Sequence, residues 1–156
     1  MRFVPFKIIS GCETGADRSG LDAARANAIP IGGNMPAGGM AEDGPIAPFY
    51  GLTPAPTAEP YPPIEQNAMQ ADATVIMHMG LITGGTLFTL DSAKKHCKPV
   101  LLVDVREGTD ASVKKIEEFL ETVKPAMLNI GGPRESKAPG LYKASYAILE
   151  KCFSIY

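Results

Sequence analysis

Short apolar segments alternate with helical segments along most of this chain, and this alternation is the strongest constraint on its fold. Continuously apolar strands are typical of parallel sheets, because both faces of such a sheet are covered. Strands that alternate with helices therefore predict a mainly parallel sheet between two helical layers, an α/β three-layer sandwich. The predicted strands are Phe6–Ile9, Ile29–Ile31, Ala73–Met77, Val100–Val105 and Met127–Ile130. The proline in the second strand predicts a position near a sheet edge.

The helical segments carry apolar residues at helical spacing. Val113, Ile116, Leu120 and Val123 recur at helical intervals, so one face of that segment is apolar. Asp110 precedes them and is predicted to cap the helix. The other predicted helices are Asp17–Ala28, Thr86–His96 and a C-terminal helix with Tyr142, Tyr146, Leu149 and Phe153 on one face.

A segment rich in glycine and proline, Pro30–Pro63, interrupts this alternation. It holds half of the chain's glycine and proline residues and shows neither helical nor strand periodicity. Phe49, Tyr50, Leu52 and Tyr61 lie within it, which favours an ordered, packed loop over a flexible linker. The chain is thus predicted to form one domain, residues 1–156, with an ordered excursion at about residues 30–63. The apolar surface of the excursion also predicts a homo-oligomer, a dimer or a dimer of dimers.

Charge, hydropathy and cysteine usage exclude several kinds of partner. Fifteen basic and seventeen acidic side chains give a formal net charge of −2, which argues against a broad nucleic-acid-binding surface. No apolar run reaches the length of a membrane span, and the N-terminus leads directly into a predicted strand. Cys12, Cys97 and Cys152 are too dispersed for a disulfide framework or a metal site, which predicts reduced thiols. These features predict a cytoplasmic protein with no membrane partner and no metal site.

Three glycine-rich turns, Ser10–Arg18, Leu81–Thr86 and Gly131–Lys137, follow predicted strands and lead towards helices. The carboxyl ends of parallel strands share one edge of a sheet, so the three turns are expected to lie close together there. Glycine lets a ligand approach the backbone, and the free N–H groups at a helix start favour an oxyanion. Hydroxyl groups and the charges of Arg134 and Lys137 complete a predicted phosphate site.

The ligand-binding prediction covers all three turns. The residues predicted to bind are Gly11, Thr14, Gly15, Asp17, Arg18, Thr83, Gly84, Gly85, Thr86, Gly132, Arg134, Glu135, Ser136 and Lys137. No segment matches a P-loop, a G-x-G-x-x-G fingerprint or a G-x-S-x-G elbow, so the standard nucleotide and hydrolase motifs are absent.

Several candidate residues also have a purely structural interpretation. Asp17 is equally a helix cap. Arg18 is favoured to pair with Asp22 one helical turn away. Glu42 and Asp43 precede Gly-Pro and are suited to starting a turn. The alternative for Arg134 is a surface ion pair with Glu135 or a neighbouring loop acid.

Four separated segments, in order, span most of the chain: S-G-C-E-T-G-A-D-R-S-G-L-D-A-A from Ser10, G-G-N-M-P-A-G-G-M-A-E-D-G-P-I from Gly32, T-G-G-T from Thr83 and G-P-R-E-S-K-A-P-G from Gly132. Together they resemble the family of putative molybdenum carrier proteins. The resemblance implies a Rossmann-like fold, similar to that of the molybdenum-cofactor carrier and of the lysine-decarboxylase-like, cytokinin-activating proteins. The first segment is also similar to the S-G-x-A-x-G-x-D motif of the DNA-processing A proteins. The resemblance implies nucleotides or nucleotide-like ligands for the wider group.

The chain departs from these patterns at three positions. Cys12 and Glu13 stand where the family's first motif, S-G-G-Q-T-G, has glycine and glutamine. The cysteine restricts the backbone of the turn, and the glutamate replaces a neutral amide with a negative charge. Thr89 stands where the P-G-G-x-G-T-x-x-E motif of the cytokinin-activating enzymes has its hydrolytic glutamate, so phosphoribohydrolase activity does not carry over.

These observations lead to two principal functional hypotheses. The first is a carrier or sensor that binds a phosphate-bearing small ligand, either molybdopterin (the molybdenum cofactor) or a nucleotide, at the three turns. The second is a hydrolase of a nucleotide N-glycosidic or phosphate bond, for which the candidate acid–base groups are Asp17, Glu42, Asp43 and Glu135. A weaker third hypothesis is an interaction module whose excursion forms a subunit interface. The sequence favours the binding protein over the enzyme.

Overall fold

The computed structural model of this protein describes residues 2–155. In chain order its elements are β1 (Lys7–Ile9), α1 (Ala16–Ala26), β2 (Ile31–Gly32), β3 (Asn34–Met35), β4 (Met40–Ala41), β5 (Gly44–Pro45), β6 (Thr53–Pro54), α2 (Tyr61–Gln70), β7 (Ala73–His78), α3 (Gly84–Lys95), β8 (Val100–Asp104), α4 (Thr109–Val123), β9 (Met127–Gly131) and α5 (Leu141–Phe153). Two short 3₁₀ helices, Pro48–Tyr50 and Val105–Glu107, complete the regular structure of the described residues.

The central sheet has five parallel strands in the order β2-β1-β9-β7-β8. Ile8 of β1 lies opposite Ile31 of β2 on one side and Leu128 of β9 on the other. Strand β2, which Pro30 directly precedes, is at the edge, as the proline predicts, and the largely buried β7 and β9 lie inside the sheet. The predicted α/β class with a mainly parallel sheet is confirmed.

The order of the strands shows that the C-terminal strand has an unusual place. If β9 and α5 are counted first, the five strands become 3-2-1-4-5, which is the order of a Rossmann-type sheet. The chain therefore follows the path of such a sheet but begins at its second strand and ends with its first. The point where the strand order reverses falls between β9 and β7, and ligands of open α/β sheets bind at such a point.

The helices form two groups around the sheet. Helices α1 and α4 both pack against α5, while α2 packs against α3. The first group shares one apolar core with the sheet, in which Leu21, Ile116 and Leu149 contact a cluster that includes Ile8 and Leu128. The stripe predicted on α4 is present, since Ile116 and Leu120 are buried and Val113 and Val123 pack against the same core. No helix among residues 2–155 is long and apolar enough to cross a membrane.

Two sequence predictions about local structure are wrong. Asp110 does not cap α4: Gly108 is the N-cap residue, with a φ of 103°, and Asp110 lies in the first turn. The end of the excursion is also helical and not irregular, because α2 begins at Tyr61 and continues beyond Pro63 to Gln70. Pro62 and Pro63 open this helix, where a proline costs nothing because the first N–H groups of a helix have no intrahelical acceptor.

The rest of the excursion consists of short paired strands. β3 pairs with β6 in parallel, and β4 and β5 form an antiparallel hairpin with Glu42 and Asp43 at its tip. Asn34 of β3 is tied to α2, because the Asn67 side chain accepts from both its backbone N–H and its side-chain amide, each at 2.8 Å. The excursion is therefore ordered and folds back over the carboxyl edge of the sheet.

Candidate functional site

A cavity of about 320 Å³ lies beside the glycine-rich turns. Its lining combines those turns with the excursion and α2, and the lining residues are Gly11, Glu13, Asp17, Asn34, Pro36, Met40, Ile46, Pro60, Tyr61, Pro63, Ile64, Gly84, Gly85, Thr86, Thr89, Gly132, Pro133, Arg134 and Lys137. The three turns that the sequence places after separate strands therefore meet around one space.

The start of α3 forms the positive side of this cavity. Thr83 is the N-cap residue and makes no side-chain capping bond. The N–H groups of Gly84, Gly85 and Thr86 have no hydrogen-bond partner within residues 2–155. The Nζ of Lys137 lies 3.5 Å from the position that a Cβ on Gly84 would occupy, so its charge adds to the positive end of the helix dipole. Free amides and an ammonium group here make a site suited to an oxyanion.

The wall contributed by the excursion and α2 is largely apolar. Met40 and Ile46 flank the hairpin, and Tyr61 and Ile64 come from the first turn of α2. The ring of Tyr61 also packs against Phe88 of α3, with centroids 4.8 Å apart. This wall can cover the flat or apolar part of a small molecule whose anionic group lies at α3.

A third side of the cavity is acidic and polar, with Glu13, Asp17 and Asn34. Burial, together with the nearby Glu13 carboxylate, raises the pKa of Asp17 to about 8, although hydrogen bonds from the Glu13 and Gly11 amides oppose the shift. Asp17 does not cap α1, whose N-cap is Gly15, so that structural interpretation is wrong. The cavity thus has a cationic end at α3 and hydrogen-bonding groups at the first turn.

The first and third turns are packed directly against each other. Gly15 has a φ of +80°, and a Cβ there would lie 2.5 Å from the Pro133 carbonyl oxygen and 2.9 Å from the Glu135 nitrogen. The Thr14 hydroxyl accepts from the Glu135 N–H at 3.0 Å, and the Ala16 N–H donates to the Pro133 carbonyl at 3.4 Å. Two backbone donors, the N–H groups of Glu135 and Ala16, therefore join the two turns directly.

Five of the predicted binding residues line an adjoining, more open cleft instead of the cavity. They are Thr14, Gly15, Arg18, Glu135 and Ser136, and the same cleft is lined by Glu42 and Asp43. Thr83 precedes the lining of the cavity as the N-cap of α3. The remaining predicted residues, which are Gly11, Asp17, Gly84, Gly85, Thr86, Gly132, Arg134 and Lys137, line the cavity itself.

Glu42 links the two turns to the hairpin. Its carboxylate accepts from the hydroxyl of Thr14, from the Ser136 N–H at 3.1 Å and from the Ser136 hydroxyl at 2.6 Å. Arg134 adds an ion pair, with its Nε 3.6 Å from Glu42. These hydrogen bonds, chiefly those from Ser136 and Thr14, hold the pKa of Glu42 below its usual value.

Arg18 pairs with Asp43 and not with Asp22, so that prediction is wrong. The two terminal guanidinium nitrogens of Arg18, Nη1 and Nη2, donate to the Asp43 carboxylate at 2.5 Å and 3.0 Å. Hydrogen bonding to Arg18 holds the pKa of Asp43 below its usual value. Asp22 instead accepts from the hydroxyls of Tyr50 and Tyr142, at 2.7 Å and 2.5 Å. Arg18 pairs with Asp43 because the excursion folds back over α1 and brings the Asp43 carboxylate to it.

Glu135 and Arg134 have different environments although they are adjacent. The Glu135 carboxylate accepts from the N–H groups of Gly140 and Tyr142, at 2.7 Å and 2.9 Å, and so caps α5. Arg134 is 47% exposed, contacts Glu42 and faces the cavity. The surface ion pair that the sequence offers as its alternative role is therefore present, with Glu42 as the partner.

Cys12 and Thr89, two of the departures from the family patterns, occupy informative positions. Cys12 is buried with a φ of +61°, a conformation in which a glycine would be unstrained, and burial raises the pKa of its thiol to about 11. Thr89 lines the cavity and donates its hydroxyl to the Gly85 carbonyl at 3.0 Å. Among residues 2–155, no three histidine, cysteine, aspartate or glutamate residues are grouped as metal ligands.

None of the residues predicted to bind comes from the excursion or from α2, although both line the cavity, for example with Asn34, Pro36 and Ile64. These residues lie between β2 and β7, where the glycine-rich turn pattern is absent, and their place depends on the path of the chain between those strands. Asn34 lies within the second segment that carries the family resemblance, which was the one signal available for it.

Comparison with known proteins agrees with this architecture. Residues 8–153 match the circularly permutated YpsA SLOG family. The crystal structure of a putative molybdenum carrier protein from Syntrophus aciditrophicus SB is similar over 98% of this chain and 97% of that one, with 34% sequence identity and a TM-score of 0.93. No curated protein matches the chain. The family description also agrees with a sheet whose first strand is supplied by the C-terminus. The chain therefore belongs to the circularly permutated YpsA SLOG family.

Proposed function

We propose that this protein binds a phosphate-bearing small ligand, a nucleotide or molybdopterin, in the cavity and acts as its carrier or sensor. The observation that carries the proposal is the uncapped start of α3, where the N–H groups of Gly84, Gly85 and Thr86 and the Lys137 ammonium border one space. Backbone amides, a helix dipole and a cation together favour a phosphate over a neutral group.

The rest of the cavity suits the organic part of such a ligand. A volume of about 320 Å³ is at the lower end of the range for small-molecule sites, which begins at roughly 300 Å³. The ring of Tyr61 and the Ile64 side chain offer apolar contact, while Asp17 and Asn34 can hydrogen-bond to ring nitrogens or hydroxyls. The name of the solved relative, a putative molybdenum carrier protein, supports a small-ligand carrier in general terms.

The first test is mass spectrometry of whatever co-purifies with the native protein, followed by thermal-shift titration with inorganic phosphate, 5′-AMP and molybdopterin. A ligand at one hundred times its dissociation constant should stabilise the fold by about 2.7 kcal/mol. No co-purifying phosphate compound, and no shift with any of the three, would refute the proposal.

A matched pair of variants then locates the site. Lys137→Met should weaken binding of the stabilising compound about tenfold, since it removes one charge-assisted contact. Lys143→Met removes the same charge from the exposed face of α5, outside the cavity, and should leave binding unchanged. Equal effects of the two substitutions would mean that the anion does not bind at α3.

A further inference from the structure

The contacts of Glu42 resemble those of a bound oxyanion more than those of an ordinary surface acid. Its two carboxylate oxygens receive one backbone N–H and one hydroxyl from Ser136, a second hydroxyl from Thr14, and the nearby Arg134 guanidinium. A backbone amide, hydroxyls and an arginine are the donors that proteins direct at phosphate and related anions. The donors belong to the first and third turns, whereas the acceptor comes from the hairpin of the excursion.

The hairpin can release Glu42 without breaking the core. Glu42 and Asp43 form its exposed tip, and the tip is held by their contacts with the two turns and with Arg18. A Cβ at Gly38, which precedes the hairpin, or at Gly44, which follows the tip, would meet nothing within 4 Å, so there is open space beside the backbone at these two positions. Met40, at one end of the hairpin, lines the cavity. A movement of the tip therefore also changes the cavity wall.

We propose that Thr14, Ser136 and Arg134 form a second oxyanion subsite, which takes a free phosphate or a phosphoryl group and which the Glu42 carboxylate fills as an internal competitor. An anion that enters the subsite displaces Glu42 and frees the hairpin tip. The subsite itself is independent of the function proposed above, and only the resulting change of the cavity wall rests on that function. Because the competitor is tethered, it lowers the apparent affinity of the subsite for any external anion.

Two substitutions of Glu42 distinguish the effect of a side chain that fills the subsite from the effect of its negative charge. Glu42→Ala removes the side chain from the subsite and also its charge, so the affinity for inorganic phosphate, measured by isothermal titration calorimetry, should rise about tenfold. Glu42→Gln removes the same charge but leaves an amide oxygen that still accepts from Ser136 and Thr14, so its gain should be clearly smaller. Equal gains in the two variants, or no gain in either, would overturn the proposal.

A control uses the donors of the subsite. In the Glu42→Ala background, Ser136→Ala and Thr14→Val change no charge and should each abolish most of the gain. A gain that survives both substitutions would be a long-range charge effect and would overturn the proposal. The same titrations in the Lys137→Met background distinguish the two sites, because a gain that persists there belongs to the subsite even if the cavity binds no anion.

Hydrogen exchange of the wild-type protein gives a readout that does not depend on the variants. The Ile46 N–H donates to the Gly39 carbonyl at 2.8 Å, and the Glu42 N–H donates to Glu13 at 2.8 Å. Saturating phosphate should accelerate exchange at these two amides, and slower exchange would contradict displacement of Glu42. Titration with 5′-AMP identifies which anion the subsite takes. If Glu42→Ala raises the affinity for both 5′-AMP and inorganic phosphate, the subsite binds the phosphoryl group of a larger ligand. If it raises the affinity for inorganic phosphate alone, the subsite binds a free oxyanion.

Discussion

Substitution of Gly15 tests how closely the first turn must approach the third. In Gly15→Ala, the new Cβ would lie 2.5 Å from the Pro133 carbonyl oxygen and 2.9 Å from the Glu135 nitrogen, both of them backbone atoms that cannot rotate away. The residue also has a φ of +80° and a ψ of −131°, a backbone conformation that costs a residue with a Cβ about 1–3 kcal/mol. Forcing the turns apart adds about 1–3 kcal/mol, the usual cost of overpacking. We therefore expect a loss of about 2–6 kcal/mol in the free energy of unfolding.

Gly108 provides the matched control for this prediction. It is also the N-cap of a helix with positive φ, at 103°, but a Cβ there would meet nothing within 4 Å. Its ψ is 159°, so Gly108→Ala should show the backbone cost alone, about 1–3 kcal/mol. Urea unfolding followed by circular dichroism measures both variants, provided that the m-value is unchanged. Equal losses for Gly15→Ala and Gly108→Ala would refute the conclusion that close packing of the two turns builds the site.

Three further predictions concern ligand binding, pH and thiol reactivity. Arg134→Ala should leave the Tm nearly unchanged, because the side chain is 47% exposed, but should weaken binding of 5′-AMP about ten- to a hundredfold by calorimetry, with partial recovery in Arg134→Lys. The pKa of Asp17 is about 8 in the folded chain and 3.8 ordinarily, so the folded state binds the proton more tightly than the unfolded state. The free energy of unfolding should therefore fall as the pH rises from about 4 to 8, by at most about 1.4 kcal/mol per pH unit. Urea titrations of Asp17→Asn should lack this slope. Iodoacetamide at pH 8 should label the exposed Cys97 in the folded protein. It should label Cys12 and Cys152 only after unfolding, because burial raises the pKa values of these thiols to about 11 and 12. Peptide mass spectrometry identifies the labelled residues.

The sequence predicts the central sheet well because each strand carries its own signal. The segments predicted as strands at Ala73–Met77 and Val100–Val105 are mostly apolar, and β7 and β8 of the parallel sheet form there. The prediction of α2 failed because prolines at positions 62 and 63 were taken as loop residues, although the first turn of a helix accepts them. The order of the strands could not be predicted in this way. The central place of β9 results from contacts between strands far apart in sequence, which no local pattern encodes.

In the candidate site, too, features with a local sequence signal were predictable and features set by distant contacts were not. The glycine turns are recognisable because strand ends and helix starts have local signals, and they do meet around one cavity. The partners of charged side chains are not recognisable in this way. Arg18 has Asp22 one turn away, yet it pairs with Asp43, because the excursion brings a bidentate partner to it. Such choices depend on the tertiary path of Pro30–Pro63, where the sequence has no periodicity.

The permuted strand order explains why the anion is expected at α3. In a Rossmann-type sheet the first strand leads through a glycine turn to a helix whose N-terminus holds phosphate. Here the corresponding strand is β9 and the helix is α5, but the Glu135 carboxylate already accepts from the N–H groups of Gly140 and Tyr142.

An internal acid thus occupies the N-terminus that the fold would otherwise offer to a ligand. Across the reversal point of the sheet, α3 follows β7 and begins without a side-chain cap. The turn after β9 still contributes to the site, because it directs Arg134 and Lys137 towards the cavity. The proposed oxyanion site is therefore divided between two strands. The turn after β9 would supply the cations, and the helix after β7 would supply the backbone amides.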